Sequence, residues 1–428
     1  MFSSLRWRLS RMARSIWAPV LGFGLLGVFN PLIAPLFSFL VSDDFAERFG
    51  DGAVEQVLEI LATSMLAVTT FAVSVMVASF ASAAQEATPR TLELLQSDGK
   101  TRYILGIFVG DFIFAITGVI AINAGLLDDK ARAVLFVLTV LLIIVMIFAL
   151  MNWIAHLTKF GRMHDSLDRV ERAACEALTL RLKERFMGGR RMEGEPPEAA
   201  HRVLADWVGY VQFVDMTALQ SIAEEAEVIV HVLSPSGSFV TPASCVFAIE
   251  GDWDAARDDD LRATLTVGHF RSFDQDPRFG ITALSEIASR ALSPGVNDPG
   301  TAIDVLGRFV RLLSLWTGVE QAEVRFDRVR VPEIAAEDLM QDAFAPIARD
   351  GANVREVMLH HQQMLGALVE TAPAIFARPA AALARRAATE AGRALTLQED
   401  RDRIAAMAED LAARAAKVPE EPTERSLI

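Results

Sequence analysis

Four residues in the first third of the chain have types and spacing that suit the lining of an ion or solute path. Thr63, Thr70 and Ser74 lie seven and four positions apart in LATSMLAVTTFAVSVMVASFASAA, so a helix carries their hydroxyl groups on one small, weakly polar face. Asp111 follows in ILGIFVGDFIFAITG, a segment that is otherwise apolar. We predict that Thr63, Thr70, Ser74 and Asp111 line a pore or substrate path.

A second interpretation of the same residues is structural. Small residues let helices pack closely in a membrane, and their hydroxyls can bond to the backbone of their own helix. A buried aspartate costs about 2.5 to 3.5 kcal/mol at the centre of a membrane helix, so it must face other helices or a wet cavity. The candidate partners of Asp111 are the hydroxyls of the Thr/Ser-rich segment and the amides of Asn30, Asn123 and Asn152. Both interpretations stay open.

The stretch RALSPGVNDPGTA, residues 290 to 302, is a second candidate site. Its proline and glycine residues end one helix, and Asp298 suits the N-cap of the next. We predict a recognition corner formed by Arg290, Ser293, Asn297 and Asp298, in which Asn297 binds a partner and Arg290 pairs with a carboxylate or a bound anion. In this interpretation Asn297→Ala leaves folding nearly unchanged. The alternative is a corner that only joins two helices.

Composition indicates a molecule of two parts that position these sites. The chain has 428 residues, of which 52% are hydrophobic and 22% charged, and long charge-free runs occur only before Lys159. A membrane helix needs about 20 apolar residues. The sequence contains four such segments, which are Ile16 to Val41, Glu59 to Ala84, Tyr103 to Leu127 and Ala133 to Ala155. The first is too long and too rich in proline for a cleaved signal peptide and is expected to remain as a kinked span.

The basic residues beside these spans predict the orientation. One side carries Arg6, Arg8, Arg11, Arg14, Arg90, Lys100, Arg102, Lys159, Arg162 and Arg169, and the other carries only Arg48, Lys130 and Arg132. We therefore expect a multi-pass protein of the bacterial inner (plasma) membrane with both termini in the cytoplasm. The basic amino-terminal arm is expected to touch anionic membrane lipid.

The remaining sequence predicts a cytosolic α+β domain. EVIVHVL, CVFAIEG and LRATLTVG have the character of strands in a small β-rich module, and residues 323 to 331 are expected to add an edge strand. Residues 281 to 292 and 299 to 316 are predicted helices, and three Ala-rich amphipathic segments follow at 337 to 345, 354 to 372 and 380 to 417. Their apolar stripes need partners, either in an oligomer or on the β-rich module.

The predicted fold class is thus an α-helical integral membrane domain of four transmembrane helices plus a cytosolic α+β domain with a small β-rich module and a helical carboxyl-terminal tail. The predicted boundaries are 1–158 for the membrane domain, 159–198 for a connecting helix and linker, 199–335 for the α+β domain and 336–428 for the helical tail. The connecting helix is HDSLDRVERAACEALTLRLKERF, and the linker lies near residues 188 to 197.

Several function classes find no support in the sequence. The net charge of −14 argues against a nucleic-acid partner, and Cys175 and Cys245 are not expected to form a disulfide in the cytosol. Known catalytic and metal-binding motifs are missing, and a helix would point the adjacent His360 and His361 about 100° apart. We therefore predict no cofactor, no metal and no enzyme activity, with a membrane-anchored hydrolase as the alternative left open.

Particular stretches resemble a known family. They are SVMVASFASAAQEATPRTL, LGIFVGDFIF, GYVQFVDMTAL, PSGSFV and QDPRFGITALSEIASRALSPGVNDPGTAIDVL. The sequence resembles the bacterial predicted membrane proteins designated domain of unknown function 2254 (DUF2254). The resemblance implies an integral membrane protein with a cytosolic domain, and it confers no activity. The sequence departs from the family pattern at Asp111, where an uncharged residue is expected, and at Ser285-Glu286, where a Val-Asp pair is expected.

Two functional hypotheses follow. The first is an oligomeric channel or transport-like protein for an ion or small anion, in which the second span lines a path and the cytosolic domain gates or assembles it. Four spans are too few to enclose a wide pore, so this hypothesis requires a homo-oligomer. The second is a membrane-anchored sensor or scaffold, whose cytosolic domain binds a ligand or a protein partner. We favour the first, because an anchor needs neither a Thr/Ser-rich span nor a buried aspartate.

Overall fold

The computed structural model describes residues 17–42, 46, 53–86, 88, 90, 94, 99–157, 163–317 and 323–419. The chain divides into two compact units, which we name the membrane unit, Arg8–Ser166, and the α+β unit, Leu167–Ile428. Of the basic residues used to predict the orientation, Arg6, Arg8, Arg11, Arg14, Arg48, Lys159 and Arg162 lie outside the described residues. The junction between the predicted fourth span and the connecting helix also falls there.

The membrane unit contains four long apolar helices, as the sequence predicts. They are α1 (Trp17–Ile33), α2 (Ala53–Glu86), α3 (Gly99–Asn123) and α4 (Asp129–Leu157). The segments long and apolar enough to cross a membrane are Ala18–Phe39, Val54–Ser82, Gly99–Asn123 and Asp129–Leu157. The first of these passes from α1 into a 3₁₀ helix at Ala34, beside Pro31 and Pro35. Proline removes a backbone donor, which accounts for the change of helix type.

Glycines let α1 and α3 approach closely. A Cβ at Gly106 would lie 2.8 Å from Phe23 Cδ2, and one at Gly110 would lie 2.9 Å from the Phe23 carbonyl oxygen. A Cβ at Gly27 would likewise meet the Gly110 carbonyl oxygen at 2.5 Å. Gly106 and Gly110 have the GxxxG spacing found where membrane helices cross. Sequence analysis did not single out this crossing.

Two apolar clusters fill the interior of the membrane unit. One is formed around Leu58, Met65, Phe114 and Leu135 of α2, α3 and α4, with other apolar neighbours. The other is formed by Ala72, Met76, Ile104, Phe108, Ala149 and Trp153, farther along α2 and α4. Val68 packs against both clusters, so it marks the level at which one ends and the other begins.

The α+β unit begins at Leu167, within α5 (Met163–Lys183), and continues into two small sheets. The strands are β1 (Gly189–Arg191), β2 (His201–Leu204), β3 (Gly209–Val214), β4 (Ile229–Val232), β5 (Phe239–Val240), β6 (Cys245–Glu250), β7 (Leu265–Gly268) and β8 (Phe326–Val331). One sheet has the order β1-β8-β4-β6-β2, and the other has the order β5-β3-β7.

The structure corrects the expected position of β8. It is not an edge strand, because it lies between β1 and β4 and is parallel to both. Its Val329 and Val331 are fully buried in the core of the sheet. Both neighbours are distant in sequence, and the alternation of charged and apolar residues in β8 does not reveal them.

The predicted linker and β-rich module also need correction. Residues 189 to 191 of the linker form β1, after a turn at Gly188 with φ of 79°. Two short helices interrupt the module, α6 (Met216–Glu225) and α7 (Asp258–Arg262). The side chain of Asp215 accepts a bond from the Ala218 amide and caps α6. This local cap explains why a helix begins directly after β3.

Helices make up the rest of the α+β unit. They are α8 (Pro277–Ala291), α9 (Pro299–Ser314), α10 (Ala336–Asp350), α11 (Arg355–Thr371), α12 (Pro373–Ala394) and α13 (Gln398–Ala415). The third predicted tail segment is divided between α12 and α13. The tail helices pack on one another and on α8 and α9, which supplies the partners that their apolar stripes require.

Arg308 of α9 ties this bundle to α5. Its side chain is 2% exposed, and its Nη1 lies 2.8 Å from Asp168 Oδ1 and 2.5 Å from Glu171 Oε2 of α5. Its Nε lies 3.0 Å from Asp304 Oδ2 of its own helix. Buried charges are tolerated when they are paired and hydrogen-bonded in this way.

His361 of α11 is fully buried against α10. Its Nε2 lies 3.1 Å from the Phe344 carbonyl oxygen, and its ring meets the Phe344 ring edge-on. Burial lowers the pKa of His361 from 6.5 to about 4, and the hydrogen bond to Phe344 opposes this shift only in part. The ring is therefore neutral in the folded protein near pH 7.

We predict that this histidine makes the α+β unit acid-labile. Below pH 6.5 the unfolded chain binds a proton at His361, whereas the folded chain binds it only near pH 4. Stability is thus lost as the pH falls through this window, by roughly 3 kcal/mol at most. His361→Gln should flatten the dependence of the melting temperature on pH between 7.5 and 4.5, and His360→Gln, which alters the half-buried neighbour, should not. Equal acid sensitivity of all three proteins would contradict the prediction.

Candidate functional site

The hydroxyl-bearing face of α2 is exposed on the membrane unit. Thr63, Thr70 and Ser74 are all exposed, and each hydroxyl donates to the backbone carbonyl four residues earlier, at 2.8 to 3.0 Å. The buried residues of α2 are Val54, Leu58, Leu61, Met65, Ala72 and Met76. At about 100° per residue, the two sets lie on opposite sides of the helix. The fold of the chain therefore packs the apolar side of α2 inward and leaves the hydroxyl face outside.

Asp111 lies elsewhere, inside the membrane unit. Its side chain is 4% exposed, and Oδ2 has no hydrogen-bond partner among the described residues. Thr69 Oγ1 of α2 is also buried without a partner. Each residue lies in sequence between members of the two apolar clusters, Asp111 between Phe108 and Phe114, and Thr69 between Met65 and Ala72. Both unpaired oxygens thus occupy the level between the clusters.

The structure does not bring all four predicted path residues together. Asp111 is enclosed by its own bundle, whereas Thr63, Thr70 and Ser74 face away from it. Within the part of the chain that the structure describes, Asp111 makes no hydrogen bond to Asn30, Asn123 or Asn152. The hydroxyl face of α2 and the buried Asp111 are therefore two separate features of the membrane unit.

The corner at 290 to 302 satisfies most of its polar groups internally. Asp298 caps α9 by accepting from the Thr301 amide at 3.2 Å and from its hydroxyl at 2.6 Å. The Ser293 hydroxyl donates to the Arg290 carbonyl at 2.6 Å. Among the described residues Arg290 has no ion pair, and its Nε is buried without a partner. Within the described residues, the carboxylate that was predicted to pair with Arg290 is therefore not found.

Asn297 has a backbone role in this corner. Its φ is 52°, in the left-handed region where asparagine is tolerated better than most residues. Alanine pays a steric cost there of about 1 to 2 kcal/mol. We therefore expect Asn297→Ala to lower the stability of the fold, in contrast to the expectation from the sequence. Its side chain is exposed, so a recognition role stays a prediction.

A third cluster, which sequence analysis missed as a site, joins stretches that are far apart in the chain. The Gln275 side chain accepts from the Val214 amide at 3.0 Å, and its backbone carbonyl accepts from the Ser236 hydroxyl at 2.8 Å. Asp276 caps α8 and accepts from Arg271 Nε at 2.7 Å. A Cβ at Gly237, whose φ is 93°, would overlap the Asp276 carboxylate. GYVQFV, PSGSFV and QDPRFG thus meet at one place.

A cavity of about 430 Å³ lies beside this cluster. Arg181, from the last turn of α5, lines it together with Ser236, Ser238, Arg271 and Asp276. Arg181 is 5% exposed, and its one hydrogen bond is a long contact of 3.5 Å to the Gln275 carbonyl. Burial lowers the pKa of Arg181 to about 10, although the charge of Asp276 acts in the opposite direction. The side chain is therefore a buried cation with little compensation.

Comparison with known proteins identifies a family of predicted membrane proteins, in agreement with the four long apolar helices. A family model described as Predicted membrane protein (DUF2254) matches residues 13–367, and the chain belongs to this family. An uncharacterised protein of Mycobacterium tuberculosis and one of Mycobacterium bovis are each 26% identical over 284 residues, which cover 64% of this chain and 54% of theirs. The chain thus spans about half the length of the curated relatives it matches. No solved structure matches the chain.

Substitutions in the corner separate its architectural and recognition roles. Asp298→Ala should destabilise the protein by about 1 kcal/mol, because α9 loses its cap. Asn297→Gly should fold as well as the wild type, since glycine adopts a positive φ freely, while Asn297→Ala should lower the melting temperature. Thermal unfolding of the full-length variants checks both. If Asn297→Gly keeps its melting temperature but loses the ion flux measured in liposomes, the Asn297 side chain recognises a partner. If the variant keeps both, the corner is architectural.

Proposed function

We propose that the protein is an oligomeric channel or transport-like membrane protein, in which the α2 helices of several copies line a path. The observation that supports this most is the placement of Thr63, Thr70 and Ser74 on the outside of the membrane unit, opposite the face that packs inward. Lipid tails cannot form hydrogen bonds with this row of hydroxyl groups. Another helix can pack closely against a row of small side chains.

In this proposal the path does not run through the interior of a single copy. Apolar clusters that include Leu58, Phe114 and Leu135, and then Phe108 and Trp153, occupy it. The hydroxyls of α2 donate to their own backbone but keep lone pairs that accept hydrogen bonds from water or coordinate an ion. The path is therefore proposed between copies, and Asp111 acts, if at all, from inside each copy.

The proposal includes an orientation. Both termini and the α+β unit lie in the cytoplasm of a bacterium, because basic residues cluster on that side of the spans. The two native cysteines test this directly, since both are free and partly exposed in the α+β unit.

A membrane-impermeant maleimide should leave Cys175 and Cys245 unlabelled in intact spheroplasts and label them after permeabilisation. The control is Leu126→Cys in a chain with Cys175→Ser and Cys245→Ser. Leu126 is 61% exposed in the short turn between α3 and α4, which should face outward and react in intact spheroplasts. Labelling of the native cysteines without permeabilisation would contradict the orientation.

Cysteine substitutions along α2 test the path itself. In the cysteine-free background, Thr63→Cys, Thr70→Cys and Ser74→Cys should react with small water-soluble thiol reagents, because their face is wet in the assembly. Leu66→Cys and Val73→Cys, on a flank of the helix, and the buried Met65→Cys should react much more slowly. The reaction of Ser74→Cys should also block ion flux in liposomes that contain the purified protein.

Two results would contradict the channel. Equal protection at all six positions, together with oxidative cross-linking of Ser74→Cys between copies, would show that the face only packs helices together. Liposomes without flux, although the oligomer is intact, would lead to the same conclusion. Asp111→Asn, measured in the same liposomes, shows whether the buried carboxyl contributes to flux.

A second candidate function is a membrane-anchored sensor or scaffold. The observation that favours it is the cavity beside Arg181, in the unit outside the membrane spans. In this alternative, the spans anchor the chain and the α+β unit binds a ligand or protein partner. Ligand binding without any flux through the membrane would favour the sensor over the channel.

A further inference from the structure

Among the charged residues that line the cavity, the guanidinium of Arg181 has no carboxylate partner in the described structure. Each carboxylate that lines the cavity already has a guanidinium partner. Asp276 pairs with Arg271 at 2.7 Å, Asp338 and Asp342 pair with Arg278 at 3.2 and 2.7 Å, and Glu333 pairs with Arg185 and Arg191 at 3.1 and 2.7 Å. Throughout the described ranges, no carboxylate lies within 4.0 Å of Arg181.

Leaving Arg181 in this state is unfavourable. Its side chain is 5% exposed, so water solvates little of the charge. A guanidinium carries five N–H donors, and only one of these makes a contact, the 3.5 Å approach to the Gln275 carbonyl. A buried charge without a partner is strongly unfavourable, because neither water nor a counter-charge replaces its lost solvation. Arg181 therefore offers unused donors to a group from outside the chain.

Other unused donors face the same cavity. Arg271 uses only Nε in its bond to Asp276, which leaves its terminal nitrogens without hydrogen bonds in the described structure. The hydroxyl of Ser238 makes no hydrogen bond to the described residues either, although Ser238 lines the cavity. Ser236 already donates to the Gln275 carbonyl, so its oxygen can only accept. The open groups are thus two guanidinium ends and one hydroxyl.

We propose that this cavity binds the oxyanion group of a small soluble ligand, a phosphate or a carboxylate, with Arg181 as its principal contact. A planar guanidinium holds two oxygens of either group through parallel hydrogen bonds, which is the geometry that the free donors of Arg181 and Arg271 can provide. A volume of about 430 Å³ suits a small metabolite and is too small for a folded partner.

The rigid surroundings favour binding without rearrangement. Asp276 is 2% exposed and is fixed by Arg271, by the α8 amide of Arg278 and by the close approach of Gly237. Gln275 holds β3 through Val214. Arg181 therefore lines a cavity whose frame does not need the ligand to form. This site does not depend on the proposed channel, since it lies wholly within the α+β unit.

The experiment measures ligand-induced stabilisation of purified full-length protein in detergent. Inorganic phosphate and succinate are added separately, with sodium chloride matching the ionic strength. A ligand that binds only the folded state raises the melting temperature as its concentration passes Kd. We expect a rise with phosphate or with succinate, and the effective anion identifies the ligand as a phosphate or a carboxylate. No rise with either anion beyond the chloride control would overturn the proposal.

Arg181→Met separates binding from a structural role. Methionine fills similar space without the buried charge, so the variant should melt at the same or a higher temperature without ligand and should lose the rise caused by the anion. The matched control is Arg172→Met on the exposed side of α5, which should keep that rise. A variant Arg181→Met that still responds to the anion like the wild type would overturn the proposal.

Arg181→Lys keeps the experiment decisive if the methionine variant does not fold. Lysine preserves the charge but loses the two-pronged donor geometry, so about tenfold more anion should be needed for the same rise. An unchanged response of Arg181→Lys would overturn the assignment of Arg181 as the principal contact. Because melting temperature is measured, the anion site can be demonstrated even in a protein that shows no ion flux. The failure of the channel proposal is thus distinguishable from the failure of this one.

Discussion

The α+β unit depends on the enclosure of one charge, the guanidinium of Arg308. A side chain that is 2% exposed cannot rely on water, so Asp168, Glu171 and Asp304 surround it. Burial alone would raise the pKa of Glu171, but the hydrogen bond from Arg311 and the charges of Arg308 and Arg311 lower it, which keeps the carboxylate ionised. Three carboxylates share this guanidinium, so the loss of any one of them still leaves Arg308 two partners, whereas the loss of Arg308 removes the cation that all three share. The register between α5 and α9 is thereby fixed.

Further contacts along α5 extend this constraint. Ala174 meets Gly280 of α8 so closely that a Cβ on Gly280 would overlap it. About two turns beyond Ala174, the helix presents Arg181 to the cluster of Gln275 and Asp276. Two buried arginines are therefore in opposite situations, Arg308 of α9, which pairs with α5, and Arg181 of α5 itself. Arg308 has three carboxylates and belongs to the scaffold, whereas Arg181 has none within reach among the described residues and marks the cavity.

The membrane unit uses small residues in two ways. Gly27, Gly106 and Gly110 lie where α1 and α3 cross, and their missing side chains allow backbone contact within the bundle. The small residues of α2 lie on the opposite side from its packing face, and the chain leaves them exposed. Small residues thus serve helix packing at the crossing of α1 and α3, whereas those of α2 make no such contact within the described residues and remain exposed on the surface. That contrast is the physical basis for placing contacts between copies at α2.

The sequence by itself determined the features that depend on neighbours along the chain. Continuous apolar runs identified four helices long and apolar enough to cross a membrane, and Asp298 with Pro299 identified the start of α9, because hydropathy and capping act within a few residues. The QDPRFG stretch was also recognisable, although its partners were not. The family membership followed from such local stretches.

Only the tertiary structure decided what lies beside what. β8 is an internal strand because residues 189 to 191 and 229 to 232 pair with it, and neither pairing has a local signal. The outward face of α2, the enclosure of Asp111 and the positive φ of Asn297 likewise depend on packing that periodicity does not encode. Arg181 and Gln275 are 94 positions apart, and a buried cation without a counter-charge is visible only when every neighbour has been placed. Local sequence thus fixes the elements, whereas long-range contact decides which of their polar groups remain unpaired.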